Sequence, residues 1–219
     1  DAYNTAIGYD AGKSVTTGTR NTLIGGLAGD ASTTANYNTA LGYTALGDNT
    51  TGDLNTAIGD NALARNTTAT GNTAVGQGSL QLNTTGANNV AIGYTALDAN
   101  TTASNNTAVG YASLGANTTG ADNTAMGSGA LDANTTANNN VAVGKASLGV
   151  NTTGAGNVAI GAFSLDANTT ASYNTSVGEA SLSANTTGAS NTAVGRYALV
   201  ANTTGTQNVA VGSNALASN

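Results

Sequence analysis

The sequence predicts an all-β fold, a parallel β-solenoid (β-roll or β-helix) with 17 residues per coil and about 13 coils. Three observations carry that expectation. An Asn recurs at positions 4, 21, 38, 55, 72, 89, 106, 123, 140, 157, 174, 191 and 208, a step of 17 with no insertion. Every copy places aliphatic residues and one Gly at fixed offsets from that Asn. The abundant residues, Asn, Thr, Ala and Gly, include three weak helix formers. Seventeen residues are also too few for a helix–turn–helix repeat, which needs about 34.

Each element follows from its offset, with the recurring Asn as position 0. Position +1 is Thr or Val, and +3 is Ile, Leu, Val or Met, from Ile7 to Val211. Alternate residues of an extended segment share a face. We therefore expect +1 and +3 to point into the core, as Val90 and Ile92 would. Position +2, nearly always Ala, is expected to point out, with Ala40, Ala57, Ala74 and Ala91 facing neighbouring chains. Position +4 is Gly in every copy, from Gly8 to Gly212, which predicts a corner at positive φ or a close backbone approach. Leu at +8, in eleven copies from Leu46 to Leu216, completes the core. Position +14 alternates Gly52, Ala69, Gly86, Ala103, Gly120 and Ala137. Ala is disfavoured at positive φ, so this corner is expected to have ordinary dihedrals; a two-coil duplication accounts for the alternation. The Asn columns at 0 and +11 are expected to satisfy corner backbone groups through side-chain ladders. Stacked at about 4.8 Å, thirteen coils predict a rod on the order of 60 Å long.

Composition excludes much chemistry. The chain has no Cys, His, Pro or Trp, and only 7% of its residues are charged. Without His or Cys, most metal sites and nucleophilic triads are ruled out. No disulfide framework is available to report compartment. Five basic residues, Lys13, Arg20, Arg65, Lys145 and Arg196, are too few to neutralise a phosphate backbone, so no nucleic-acid partner is expected. A net charge of −6 favours solubility. No apolar run approaches about 20 residues, so no membrane insertion is expected. No signal peptide is recognisable, and the chain opens and closes in mid-pattern. It is expected to be one repeat domain over residues 1–219 and a piece of a longer fibre.

Candidate sites stand out weakly. Tyr9, Tyr43, Tyr94 and Tyr111 share position +5 and form a candidate surface-binding row, since exposed aromatics stack on sugars or anchor partners. The same column also holds Asp60, Lys145 and Glu179, which fits ordinary surface variation. Asp98, Asp132 and Asp166 lie at +9, two coils apart. That places successive carboxylates about 9.6 Å apart, near the upper limit for an inverting glycosidase. A row of solvated charges explains them more simply, and no enzyme is expected. The Thr-Thr columns suggest an ice-binding face, but adjacent strand residues point oppositely, leaving one outward rank such as Thr84 or Thr85. Calcium-binding nonapeptide repeats and a phosphate loop are absent, so no metal or cofactor is expected. Asn-Thr-Thr matches an N-glycosylation acceptor in nearly every coil.

The string "NVAIGYTAL", Asn89 to Leu97, resembles the head repeats of trimeric autotransporter adhesins. Similar Asn-Thr-Ala-Ile-Gly strings look like those of bacteriophage tail-fibre proteins. The resemblance runs through every copy. It implies a left-handed parallel β-roll, three chains side by side, at a cell or virion surface, with the two aliphatics of Val-Ala-Ile inward. The adhesin coil is somewhat shorter; here a Thr-Thr-Gly segment is added. Together these readings give a structural and adhesive fibre segment, extracellular or on a virion. Its expected partners are itself, as a homotrimer or in lateral or end-to-end assembly, and a surface glycan or host receptor. An ice-binding solenoid is the alternative.

Overall fold

In a computed structural model, residues 2–218 are described, and they divide into two compact units, Asp1–Asn106 and Thr107–Asn219. The first carries β1 (Thr5–Ile7), β2 (Thr22–Ile24), β3 (Thr39–Leu41), β4 (Thr56–Ile58), β5 (Thr73–Val75) and β6 (Val90–Ile92). The second carries β7 (Thr107–Val109), β8 (Thr124–Met126), β9 (Val141–Val143), β10 (Val158–Ile160), β11 (Thr175–Val177), β12 (Thr192–Val194) and β13 (Val209–Val211). Within each unit every strand pairs in parallel with the next, in strict register; Thr56 meets Thr73, and Val158 meets Thr175. The fold is the all-β parallel solenoid that the period predicts, without a helix among the described residues.

The phase of the strand differs from expectation. Ala40, Ala57, Ala74 and Ala91 at +2 are fully buried, whereas Leu41, Ile92, Met126 and Ile160 at +3 are 40–46% exposed. Positions +1 and +3 do share a face, but that face is the outer one. The reason lies across the coil. Leu46, Leu63, Leu80 and Leu97 at +8 are completely buried, and this one large column fills the section. Where Leu stands at +8, the strand opposite has room for a small side chain, a methyl group or the hydroxymethyl of Ser176.

The segment from +4 to +10 explains how Leu reaches the centre. Gly42 has φ 144, and Thr44 and Leu46 have φ 50 and 57, so left-handed residues alternate with ordinary ones. Each non-Gly residue there costs roughly 1 kcal/mol or more. The backbone compensates by bonding both neighbouring coils. Thr44 N–H donates to Gly26 C=O at 2.9 Å, and Leu46 N–H to Ala62 C=O at 3.0 Å. Position +4 needs Gly twice over: φ is left-handed, and a Cβ on Gly76 would lie 2.5 Å from the Gly93 carbonyl oxygen.

The two Asn columns form the expected ladders. Asn55 N–H donates to Asn38 Oδ1 at 2.9 Å, while Asn38 Nδ2 crosses the coil to Gly52 C=O at 2.9 Å. Asn49 Nδ2 reaches the same carbonyl at 3.0 Å, and Asn66 Nδ2 donates to Asn49 Oδ1 at 2.8 Å. Each coil is thus braced across its section and tied to the next through buried amides. The +14 corner has ordinary dihedrals, as expected, since none of its residues has positive φ. Its Gly/Ala alternation has a steric cause beyond duplication. A Cβ on Gly52, Gly86, Gly120 or Gly154 would collide with the carbonyl oxygen of the Ala one coil on. The Gly rungs thus lack room for a methyl group, Gly188 included, whose Cβ would meet the Gly205 carbonyl oxygen.

Candidate functional site

Three surfaces emerge from this section. The first is the outer face of the strands. It carries Thr or Val at +1 and Ile, Leu, Val or Met at +3, and no charged residue occupies either position in any copy. The +3 rank is 60% exposed at Ile7, 46% at Leu41, 40% at Ile92 and 44% at Met126. Parallel pairing in register aligns these side chains in straight ranks. Contiguous exposed apolar surface of this kind marks an interaction site. Sequence reasoning missed it because it assigned the aliphatics to the interior.

The second surface is the ridge at +5. Tyr9, Tyr43 and Tyr94 stand exposed on the first unit and Tyr111 on the second. Tyr9 and Tyr43 are two coils apart, and Tyr43 lies against Gly26 of the coil between, its Cδ2 3.2 Å from where a Gly26 Cβ would be. Asp60 and Gln77 separate Tyr43 from Tyr94, so the row is broken. A second aromatic column at +16 was not anticipated: Tyr3, Tyr37 and Tyr173 are all exposed. Arg20 lies over the Tyr37 ring, 5.1 Å from its centroid. The signal was present in the period, since these residues share one offset.

The third surface is the +9 and +10 edge. Asp132 is exposed and Asp166 half-buried, and burial raises the carboxyl pKa of both. Asp166 also accepts from backbone N–H groups, which opposes the shift, yet its Oδ1 is buried without a partner. No group of three or more His, Cys, Asp or Glu able to hold a metal ion occurs among the described residues. In the first unit this edge holds a recess of about 320 Å³ lined by residues of the second, third and fourth coils.

The Thr-Thr columns lie in bends outside the strands, so strand alternation does not divide them, and neither rank is interior. Thr85 is exposed, while Thr84 is half-buried and its hydroxyl donates to Thr101 C=O at 3.0 Å. The glycosylation motifs are closed in the folded chain: Asn83, Asn100 and Asn117 at +11 have no exposed surface, and each amide is engaged within its own coil. No helix among the described residues is long and apolar enough to cross a membrane. No protein-family model matches the chain, and no curated protein matches it in sequence.

Proposed function

We propose that this chain is a structural and adhesive segment of a fibre at a bacterial cell or phage virion surface. Copies of the chain would associate through the outer strand face, as in a homotrimer. The uncharged Thr/Val and Ile/Val/Leu/Met face supports this reading most directly. It is largely apolar, and within each unit its side chains repeat at about 4.8 Å. The surface best matched to such a period is another with the same period, which a second copy supplies. Covering the exposed part of one +3 aliphatic side chain, 40% of Ile92, contributes roughly 1 kcal/mol before the costs of association. The buried Asn ladders supply the stiffness that a fibre needs. Sedimentation of the purified chain tests the reading. Assembly is expected, and Ile92→Lys combined with Ile58→Lys should leave a folded monomer. A strictly monomeric parent chain at high concentration would sink the proposal.

A second reading uses the same face differently. The Thr residues at +1 and the aliphatics at +3 give two outward ranks, where the Thr-Thr column gives one. In tetrahedral water with O···O about 2.75 Å, oxygens two bonds apart are about 4.5 Å apart. The coil repeat of about 4.8 Å is close to that spacing. Ice binding therefore belongs, if anywhere, to the strand face. Absence of thermal hysteresis in dilute protein would remove it.

A further inference from the structure

We propose that the recess of the first unit binds a neutral, hydroxyl-rich ligand, the terminal sugar of a glycan. This deepens the adhesive reading, although the recess itself lies wholly within one unit. The region departs from the repeat. Position +10 is Ala, Ser, Val or Leu in every other copy, but Asp48 and Arg65 occupy it in the third and fourth coils. Both line the recess, with Asp30, Thr44, Asn61 and Leu27. Gly47 at +9 lines it too, and a Cβ there would lie 3.7 Å from Asp30 Oδ1, so a larger side chain would crowd the recess.

The chemistry selects the ligand. A volume of about 320 Å³ lies at the small end of ligand sites, the scale of one sugar. Asp30 faces Lys13 at 3.5 Å, and Asp48 faces Arg65 at 3.6 Å. Lys13 is shared with Asp10 at 3.1 Å, so each lining carboxylate has a cation beside it while negative charge stays in slight excess, which disfavours an anionic ligand. Carboxylate, amide and guanidinium groups are planar and can each meet two adjacent hydroxyls. The Thr44 hydroxyl donates to Asn61 Oδ1 at 2.7 Å, and Asn61 Nδ2 donates to Asp60 Oδ1 at 2.7 Å. This chain orients the polar wall in advance. Leu27 offers an apolar surface for C–H groups. Tyr43, next to Thr44 in sequence and 58% exposed, stands on the adjoining ridge where a further sugar can stack.

The backbone fixes the points from which these side chains project. Asp48 N–H donates to Ala64 C=O at 2.9 Å and Arg65 N–H to Gln81 C=O at 3.0 Å. Such preorganisation lowers the cost of binding.

Amide chemical-shift titrations of the full chain test the assignment. The probes are methyl α-mannoside, methyl β-galactoside and N-acetylglucosamine, with inorganic phosphate and lysine methyl ester as charged controls. At least one neutral sugar should saturably shift amides between Thr44 and Arg65. Gly47→Leu should weaken that binding about tenfold or more, with sedimentation and melting temperature unchanged. Asp48→Ala should do the same if Gly47→Leu fails to fold. Shifts caused only by a charged probe, no shift with any sugar, or full binding in the folded variants would each overturn the proposal. Sedimentation reports separately on the fibre: a monomer that binds sugar contradicts assembly and leaves the recess standing.

Discussion

The first two coils and the coils that follow fill the same interior in opposite ways. From the third coil to the twelfth, Ala at +2, or Ser176 in the eleventh coil, faces a buried Leu at +8. In the second coil the large residue crosses over: Leu23 stands at +2, 1% exposed, while Gly12 and Gly29 occupy +8. A Cβ on Gly12 would lie 2.7 Å from Leu23 Cδ1, and one on Gly29 2.7 Å from Leu23 Cδ2. One Leu thus takes the space of two side chains. The comparison shows that the section holds a set volume of hydrocarbon, from either wall, and that the outer +3 rank adds nothing to it.

Breaking the corner that both regions share should have the largest effect. Gly76→Ala puts a methyl group into the Gly93 carbonyl and leaves Ala at φ 130. We expect a loss above about 4 kcal/mol, read as a fall in denaturant midpoint. Next, Leu23→Ala should cost about 2–5 kcal/mol. Adding Gly12→Leu and Gly29→Leu should recover most of it, because Leu already adopts the left-handed conformation at this offset in later coils. Failure of the triple variant to recover would break the exchange.

The exchange also shows where the sequence was legible. Period, strand position, parallel pairing, the obligatory Gly and both Asn ladders follow from residue types at fixed offsets. The phase of the strand did not, because Thr-Ala-Ile alternates equally well either way, and β-branched aliphatics suggested an interior. The answer lay in the partner column. Leu23 coinciding with Gly12 and Gly29 shows that +2 and +8 share a space. Left-handed Leu, Ala and Tyr at +6, +8 and +16 were illegible for another reason: nothing local favours them, and only ladder bonding to adjacent coils stabilises them. The tyrosines at +5 were correctly placed on the surface, but the recess was overlooked. Its mark is Asp48 and Arg65 standing where the repeat has small or aliphatic residues.

Smaller effects sharpen the comparison further. Ser32 holds the +11 position that Asn takes from the third coil on, and its hydroxyl is buried without a partner. Ser32→Asn extends the amide ladder by one rung and should add about 1 kcal/mol in thermal unfolding. The smallest effect concerns Asp166, whose pKa burial raises. The folded carboxyl holds its proton more tightly than the unfolded one. Ionised Asp166 therefore destabilises, an effect absent below the ordinary carboxylate pKa of 3.8 and complete above the raised value. Asp166→Asn should melt slightly higher than the parent at pH 7 and level with it at pH 3.

Thiol labelling tests the outward strand face and its proposed covering by other copies most directly, since the chain has no Cys of its own. Ala91→Cys and Ile92→Cys place one thiol on either side of the same strand. The account predicts that Cys at 91 stays unreactive at every protein concentration. Cys at 92 should label rapidly in dilute protein and slowly as concentration rises and copies cover the face. A reactive thiol at 91, or a rate at 92 that ignores concentration, would contradict it.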